Sequence, residues 1–305
     1  MHLVPRLILS LALLPLAAGA PALETQKVAD GVYALVGELG QRSPANLGNN
    51  ATFGVIVTGS GVVLVDPGGS YLGAQRIHAA IRRLTAKPVV WVINTGGQDQ
   101  RWLGNGYFQA RGARILAARA AVADQKARAN DQLTLLENLI GAEGLRGTRE
   151  VYADTLFDRE HRLTLGGAEI VVRRAGPAHT PGDSYVWLPQ KKVVFTGDIV
   201  YVERLLGVGA VSDSKHWIGA FEEIARLGPR HVVPGHGHAT DLARARRDTY
   251  DYLVALRRKV RAFYGAGRGL EEIGSVRLPS HAGLENYAQL NGRNAHRVYQ
   301  ELEWE

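Results

Sequence analysis

Gly176-Pro177-Ala178-His179-Thr180-Pro181-Gly182-Asp183 follows an apolar run and sets an imidazole among Gly and Pro residues that fix a turn. Two later stretches have the same build. They are Phe195-Thr196-Gly197-Asp198-Ile199 and Val232-Val233-Pro234-Gly235-His236-Gly237-His238. Each presents His or Asp at the mouth of a strand-like segment. A lone loop histidine is ordinarily a surface residue, and a Gly-Asp pair ordinarily only a turn. Three such loops in order make imidazole and carboxylate candidate zinc ligands by type. The candidate metal residues are therefore His179, Asp198 and His236.

Outward from these loops the chain alternates short apolar runs with helical periodicity. Val32–Val36, Phe53–Val57 and Val62–Val65 read as strands, the last ending in Asp66-Pro67-Gly68-Gly69. Tyr71–Leu84 reads as a helix, Val89–Ile93 as a buried strand, and residues 94–108 as a polar, Gly-rich loop. Arg114–Ala117 is a further strand, and Ala118–Ile140 is helical by composition and by the spacing of Leu133, Leu136 and Ile140. The second half repeats this grammar, with strands at Arg162–Leu165, Glu169–Arg173, Tyr185–Leu188, Val193–Thr196 and Arg230–Val233. One helix has Trp217, Phe221, Ile224 and Leu227 on one face, another has Leu253, Leu256, Val260 and Phe263, and a last one is expected near Leu284–Glu303. Strands then helices, twice over, predict an α/β chain of two similar halves packed sheet against sheet with helices outside. No linker or low-complexity tract interrupts residues 23–305, which read as one domain.

Residues 1–22 carry one charge, Arg6, then an apolar run from Leu7 to Ala18 and small residues. That order predicts a signal peptide cleaved after Ala22, with export to the periplasm and no stable membrane anchor afterwards. The 305 residues hold no Cys, which excludes disulfides, thiolate ligands and a cysteine nucleophile. A net charge of +7 is weak evidence for an anionic partner, and no nucleic-acid motif supports one. The G-x-S-x-G elbow, the G-x-x-x-x-G-K-[ST] loop and a dinucleotide fingerprint in a βαβ unit are all missing.

His-Thr-Pro-Gly-Asp at 179–183, Thr-Gly-Asp at 196–198 and Pro-Gly-His-Gly at 234–237 resemble the later motifs of the metallo-β-lactamase superfamily. Val-Asp-Pro-Gly at 65–68 resembles its early strand-end motif. The resemblance covers essentially all of residues 23–305. It implies a four-layer αββα sandwich, a one- or two-zinc site at one edge of the sheets, and hydrolysis by a metal-activated water. It also implies that His179 serves a first metal, His236 a second, and that Asp198 bridges them, with Asp66 orienting the ligand loop from behind. Asn294–Glu303 is similar to exported members linked to sulfur-compound or quinoprotein oxidation.

The family's main ligand motif, H-x-H-x-D-H, falls after Asn94-Thr95. Here Gly96, Gln98, Gln100 and Arg101 stand at its four ligand positions, with Asn94-Thr95 and Gly104-Asn105 flanking without a gap. The remnant supplies too few ligands for two zincs and at most one weakly held zinc. Arg101 cannot ligate a metal. A bidentate pair with Asp198 would compensate a carboxylate stripped of its cation. Gly96 and Gly97 read as a turn requiring positive φ rather than as space for a ligand. Asp99 is expected to point away from the site, His238 to cap a helix or face solvent, and Trp102, Tyr107 and Trp217 to be core. The expected function is that of a binding protein for a small-molecule ligand or a periplasmic partner. The alternative is a mononuclear hydrolase of small esters, amides, lactones or thioesters.

Overall fold

The computed structural model describes residues 23–305, so the expected signal peptide lies outside the described residues. The first sheet takes β1 (Glu24–Ala29), β2 (Val32–Val36), β3 (Thr52–Thr58), β4 (Gly61–Val65), β5 (Val89–Asn94), β6 (Arg114–Ala118) and β7 (Thr155–Phe157) in sequence order. β1 to β4 are antiparallel neighbours, and β4 to β7 run parallel. Parallel pairs need crossovers. Helix α1 (Tyr71–Leu84) supplies the first, α2 (Asn105–Gln109) lies in the second, and α3 (Arg119–Leu145) lies in the third. The second sheet has the order β12-β11-β10-β9-β8, from β8 (Glu160–Leu165), β9 (Ala168–Arg174), β10 (Ser184–Leu188), β11 (Val193–Phe195) and β12 (His231–Val233). Helices α4 (Ser214–Arg226), α5 (Leu242–Ala245), α6 (Asp251–Gly265) and α7 (Tyr287–Leu302) complete the chain.

Strand alternation decides the layering. In β4, Val63 and Val65 enter a core shared with Val172, Val186 and Phe195 of the other sheet, while Val62 and Leu64 face Ala74, Ile77 and Ile81 of α1. On the far side, Tyr185, Val194 and Val232 meet Trp217 and Phe221 of α4 and Leu256 of α6. The result is helix, sheet, sheet, helix. The halves are keyed at Gly54, where any Cβ would collide with the Phe195 ring. Ser70 and Asp213 cap α1 and α4 through the amides of Gly73 and His216, fixing where these helices leave the strand-end loops.

Most expected strands and helices are present. Those unforeseen were β1 and β7, together with α2 inside the expected loop. β1 is largely polar and solvent-facing, and β7 has only three residues, so neither shows a strong apolar period. Helix α3 continues past Ile140, but Gly141 takes φ 76°, so regular geometry breaks one residue after the expected end. Among the described residues, no helix is long and apolar enough to cross a membrane.

Candidate functional site

The strand-end loops of both sheets converge on one edge of the sandwich. Gly68 N–H donates to Gln100 O and Ser184 N–H to Thr95 O, while Thr52 N–H reaches Gly235 O at 2.8 Å. At the end of β4, Asp66 takes φ 66°, a costly backbone for a non-glycine residue, and turns its carboxylate beneath the 95–101 loop. It accepts Thr95 N–H at 2.8 Å and the Thr95 hydroxyl at 2.8 Å.

Arg101 lies at the centre, fully buried. Its Nε and Nη2 donate to Asp198 Oδ2 and Oδ1 at 3.0 and 2.7 Å, the bidentate pair expected from the sequence. Nη1 donates to Asp66 Oδ2 at 2.9 Å and Thr52 O at 3.3 Å, and Nη2 also reaches Gly235 O at 3.0 Å. All five N–H groups of the guanidinium are thereby used. Gly235 admits this close packing, since a Cβ there would lie 2.7 Å from Arg101 Nη2.

His236 stacks on Tyr201 with ring centroids 4.6 Å apart. Its Nδ1 faces Asn50 O at 2.8 Å and its Nε2 faces Asp198 Oδ1 at 3.2 Å. His179 places Nδ1 3.0 Å from Gly207 O. Both histidines border a cavity of about 150 Å³ together with Gln98, Gln100, Arg42 and Arg204. Gln100 donates to Asp198 Oδ2 at 3.3 Å and accepts from Arg42 at 2.6 Å.

Other expectations need correction. Gly96 does not line the cavity, and neither Gly96 nor Gly97 has positive φ. They are small because of close approach: a Cβ on Gly96 would sit 2.6 Å from Asp183 Oδ1, and one on Gly97 would collide with Asp124 Oδ2. His238 neither caps a helix nor simply faces solvent. It contacts Glu203 at 2.7 Å and Glu24 at 3.1 Å, while Asp241 caps α5. Asp99 is buried and pairs with the cavity-lining Arg42, and Trp102, Tyr107 and Trp217 are core as expected.

This site sits within a recognisable sequence frame. The profile of the metallo-beta-lactamase superfamily matches residues 48–236, more than half of the chain. The chain belongs to the metallo-beta-lactamase superfamily. It is 24% identical over 211 residues to the type 2 metallo-beta-lactamase of Elizabethkingia meningoseptica, covering 68% of this chain and 76% of that one. Among solved structures it is similar to a metallo-beta-lactamase from Pontibacter korlensis, with TM-score 0.61, 21% identity, and coverage of 76% of this chain and 99% of the other. The stereoselective inverting sec-alkylsulfatase from Pseudomonas sp. gives TM-score 0.68 at 19% identity, covering 92% of this chain but half of the longer sulfatase. At these identities the solved structures establish the fold.

Superfamily membership implies zinc, and the donor set here does not fit a two-metal centre. The carboxylate assigned to bridging by resemblance already gives both oxygens to a permanent cation. Among the described residues, no group of three or more His, Cys, Asp or Glu side chains is arranged to hold a metal ion.

Electrostatics follow from burial. Desolvation alone would raise Asp198, yet Arg101 and His236 outweigh it and hold its carboxyl well below the usual carboxylate range. Burial pushes Asp66 up to about 6 despite Arg101 and Thr95. Asp183 is pushed up to about 8, by burial first and by the nearby Asp198 charge second. Burial lowers His236 to about 3 against the pull of Asp198, and it lowers His179.

Arg42 and Arg204 were missed by sequence reasoning. They lie in loops outside every motif, and only folding brings them beside residues 98–100 and 179.

Proposed function

We propose that this superfamily member is exported and has lost the H-x-H-x-D-H ligand motif, with Gly96, Gln98, Gln100 and Arg101 in place of its ligands. Its metallohydrolase activity is lost or strongly altered, and it binds a small ligand or a periplasmic partner at the strand-end cavity. One observation carries this reading: the buried Arg101 guanidinium takes both oxygens of Asp198 and one of Asp66, so a fixed organic cation already pairs with both carboxylates of the floor. The sulfur-oxidation link is part of the same proposal and rests on Asn294–Glu303. Here Asn294 has a visible structural task, donating to Leu206 O at 2.8 Å and accepting Val208 N–H at 2.8 Å.

A mononuclear hydrolase at His179, Asp198 and His236 is the second reading. Each histidine sets Nδ1 against a backbone carbonyl, which is how metal-bound imidazoles are commonly oriented. The superfamily relatives are also hydrolases by name. Metal content decides between the readings. The purified protein is dialysed against excess zinc, freed of loose ion and analysed for metal per chain. Near zero is expected. Near one equivalent, abolished by His179→Ala or His236→Ala but not by Gln100→Ala, would establish the mononuclear alternative. Near two would overturn the loss of the ligand motif.

A further inference from the structure

The cavity above the Arg101 floor is unbalanced in charge. Its nine lining residues include two arginines, Arg42 and Arg204, and no acid. Arg42 is partly spent on Asp99 and Gln100, and its Nε is buried without a partner. Arg204 makes no ion pair among the described residues. Its one hydrogen bond runs from Nη1 to Gly40 O at 2.9 Å, and its Nε is also buried without a partner. The nearest acids in sequence and strand register are engaged elsewhere or exposed. Glu203 turns to His238 and Arg244, and Asp198 is held by Arg101; Glu285 joins Arg204 through a backbone bridge, and both Asp198 and Glu285 attract its charge without forming an ion pair. Both Nε groups are closed off from the cavity itself, so the donors open to a ligand are the terminal N–H groups, of which Arg204 gives only Nη1 to a protein acceptor.

The cavity is small. At about 30 Å³ per water it has room for about five waters. That suits a compact head group better than a drug-sized molecule, which needs about 300 Å³ or more. Tyr201 and Leu290 give it an apolar wall. His179, Gln98, Gly207 and Leu290 are partly exposed, while His236 is buried, so the cavity reaches solvent on the His179 side.

The geometry points to a binding site for a small oxyanion, free or as the head group of a short organic molecule, held between the guanidinium groups of Arg42 and Arg204. This rests on the metal-free reading above. Two arginines with spare N–H donors match the lone-pair geometry of sulfate, sulfonate, phosphate or carboxylate. Arg101 is no competitor for the ligand, because its donors are already used on protein acceptors.

The test is calorimetric titration of chelator-treated protein, with its metal content counted, in low-chloride buffer. The probes are sulfate, phosphate, methanesulfonate and acetate, with dimethyl sulfone as an uncharged control of similar shape. Saturable binding of at least one anion is expected, with none of the sulfone. Arg204→Gln should weaken it by at least about tenfold, and Arg204→Lys should weaken it less, since a charge returns without the fork. Arg42→Gln is the second variant should Arg204→Gln fail to fold by circular dichroism, and it should also weaken binding. The ranking of tetrahedral against planar anions identifies the head group. No saturable binding by any anion to metal-free protein would overturn this inference alone. So would equal binding by wild type and the folded Arg204→Gln or Arg42→Gln variant. Protein that retains metal and binds anions only when loaded would instead overturn the metal-free reading.

Discussion

The floor and the mouth of the site each contain arginine, and the two are treated in opposite ways. On the floor, Arg101 is sealed from water and gives every N–H to Asp66, Asp198, Thr52 or Gly235. At the mouth, Arg204 is partly exposed, has one hydrogen bond to Gly40 and leaves a buried Nε unmatched. The floor is a closed hydrogen-bonded structure in which every guanidinium N–H has its acceptor. The mouth is open-ended. The same residue type is a structural cation where two carboxylates converge on it and a recognition group where none does.

Removing Arg101 should break that contrast most severely. Arg101→Leu leaves Asp66 and Asp198 buried without their cation, and breaking a buried pair in this way costs about 3–5 kcal/mol. Denaturant unfolding of the variant measures the loss. Adding Asp66→Asn and Asp198→Asn to Arg101→Leu should recover part of it, because no uncompensated charge then remains. A variant as stable as wild type would show that the floor does not depend on this guanidinium.

Gly97→Ala probes the neighbouring loop, whose shape sets Arg101 in place. The added methyl collides with Asp124, which is itself held by Arg128. The expected destabilisation is about 1–3 kcal/mol, typical of overpacking, and is read from the shift in unfolding midpoint. Asp124→Ala in the same chain should relieve it.

Asp183 sharpens the comparison through pH, because it is a buried acid without an arginine partner. Its folded pKa of about 8 lies above the ordinary aspartate value. Between those values the native state holds a proton that the unfolded state has released. Its contribution is therefore full at low pH and lost as pH rises through about 4 to about 8. Asp183→Asn should flatten that decline and stabilise the protein at pH 8 by on the order of 1–2 kcal/mol, with little gain at pH 4. Thermal melts of both proteins across that range provide the measurement. An unchanged slope would show that Asp183 is ionised in the folded state like an exposed carboxylate.

Sequence periodicity defined the sandwich because most of its strands are apolar runs bounded by Gly, Pro or Asp. It failed at β1, a polar edge strand, and at β7, which is too short to show a period. His179, Asp198 and His236 were legible because each sits in a motif at a strand end. The Arg101–Asp198 pair was legible because the flanks of the 96–101 segment fixed its register. The third partner, Asp66, was foreseen only as a support for the loop. Gly96 and Gly97 were misread because a glycine required for close approach looks, in sequence, like one required for a left-handed turn. Arg42 and Arg204 carried no signal, since their meaning depends on which acids fail to reach them, and that is a property of the folded surface.

The counter-charge of the floor has one further consequence. A dissociable cation leaves on dilution, is stripped by competing ligands and must be supplied by the surroundings. Arg101 is joined to the backbone seven residues beyond the strand that delivers it, so its concentration next to Asp66 and Asp198 is fixed by chain geometry. The cation that these two carboxylates share is thus inherited with the polypeptide, and its presence does not vary with the ionic composition of the medium in which the chain folds.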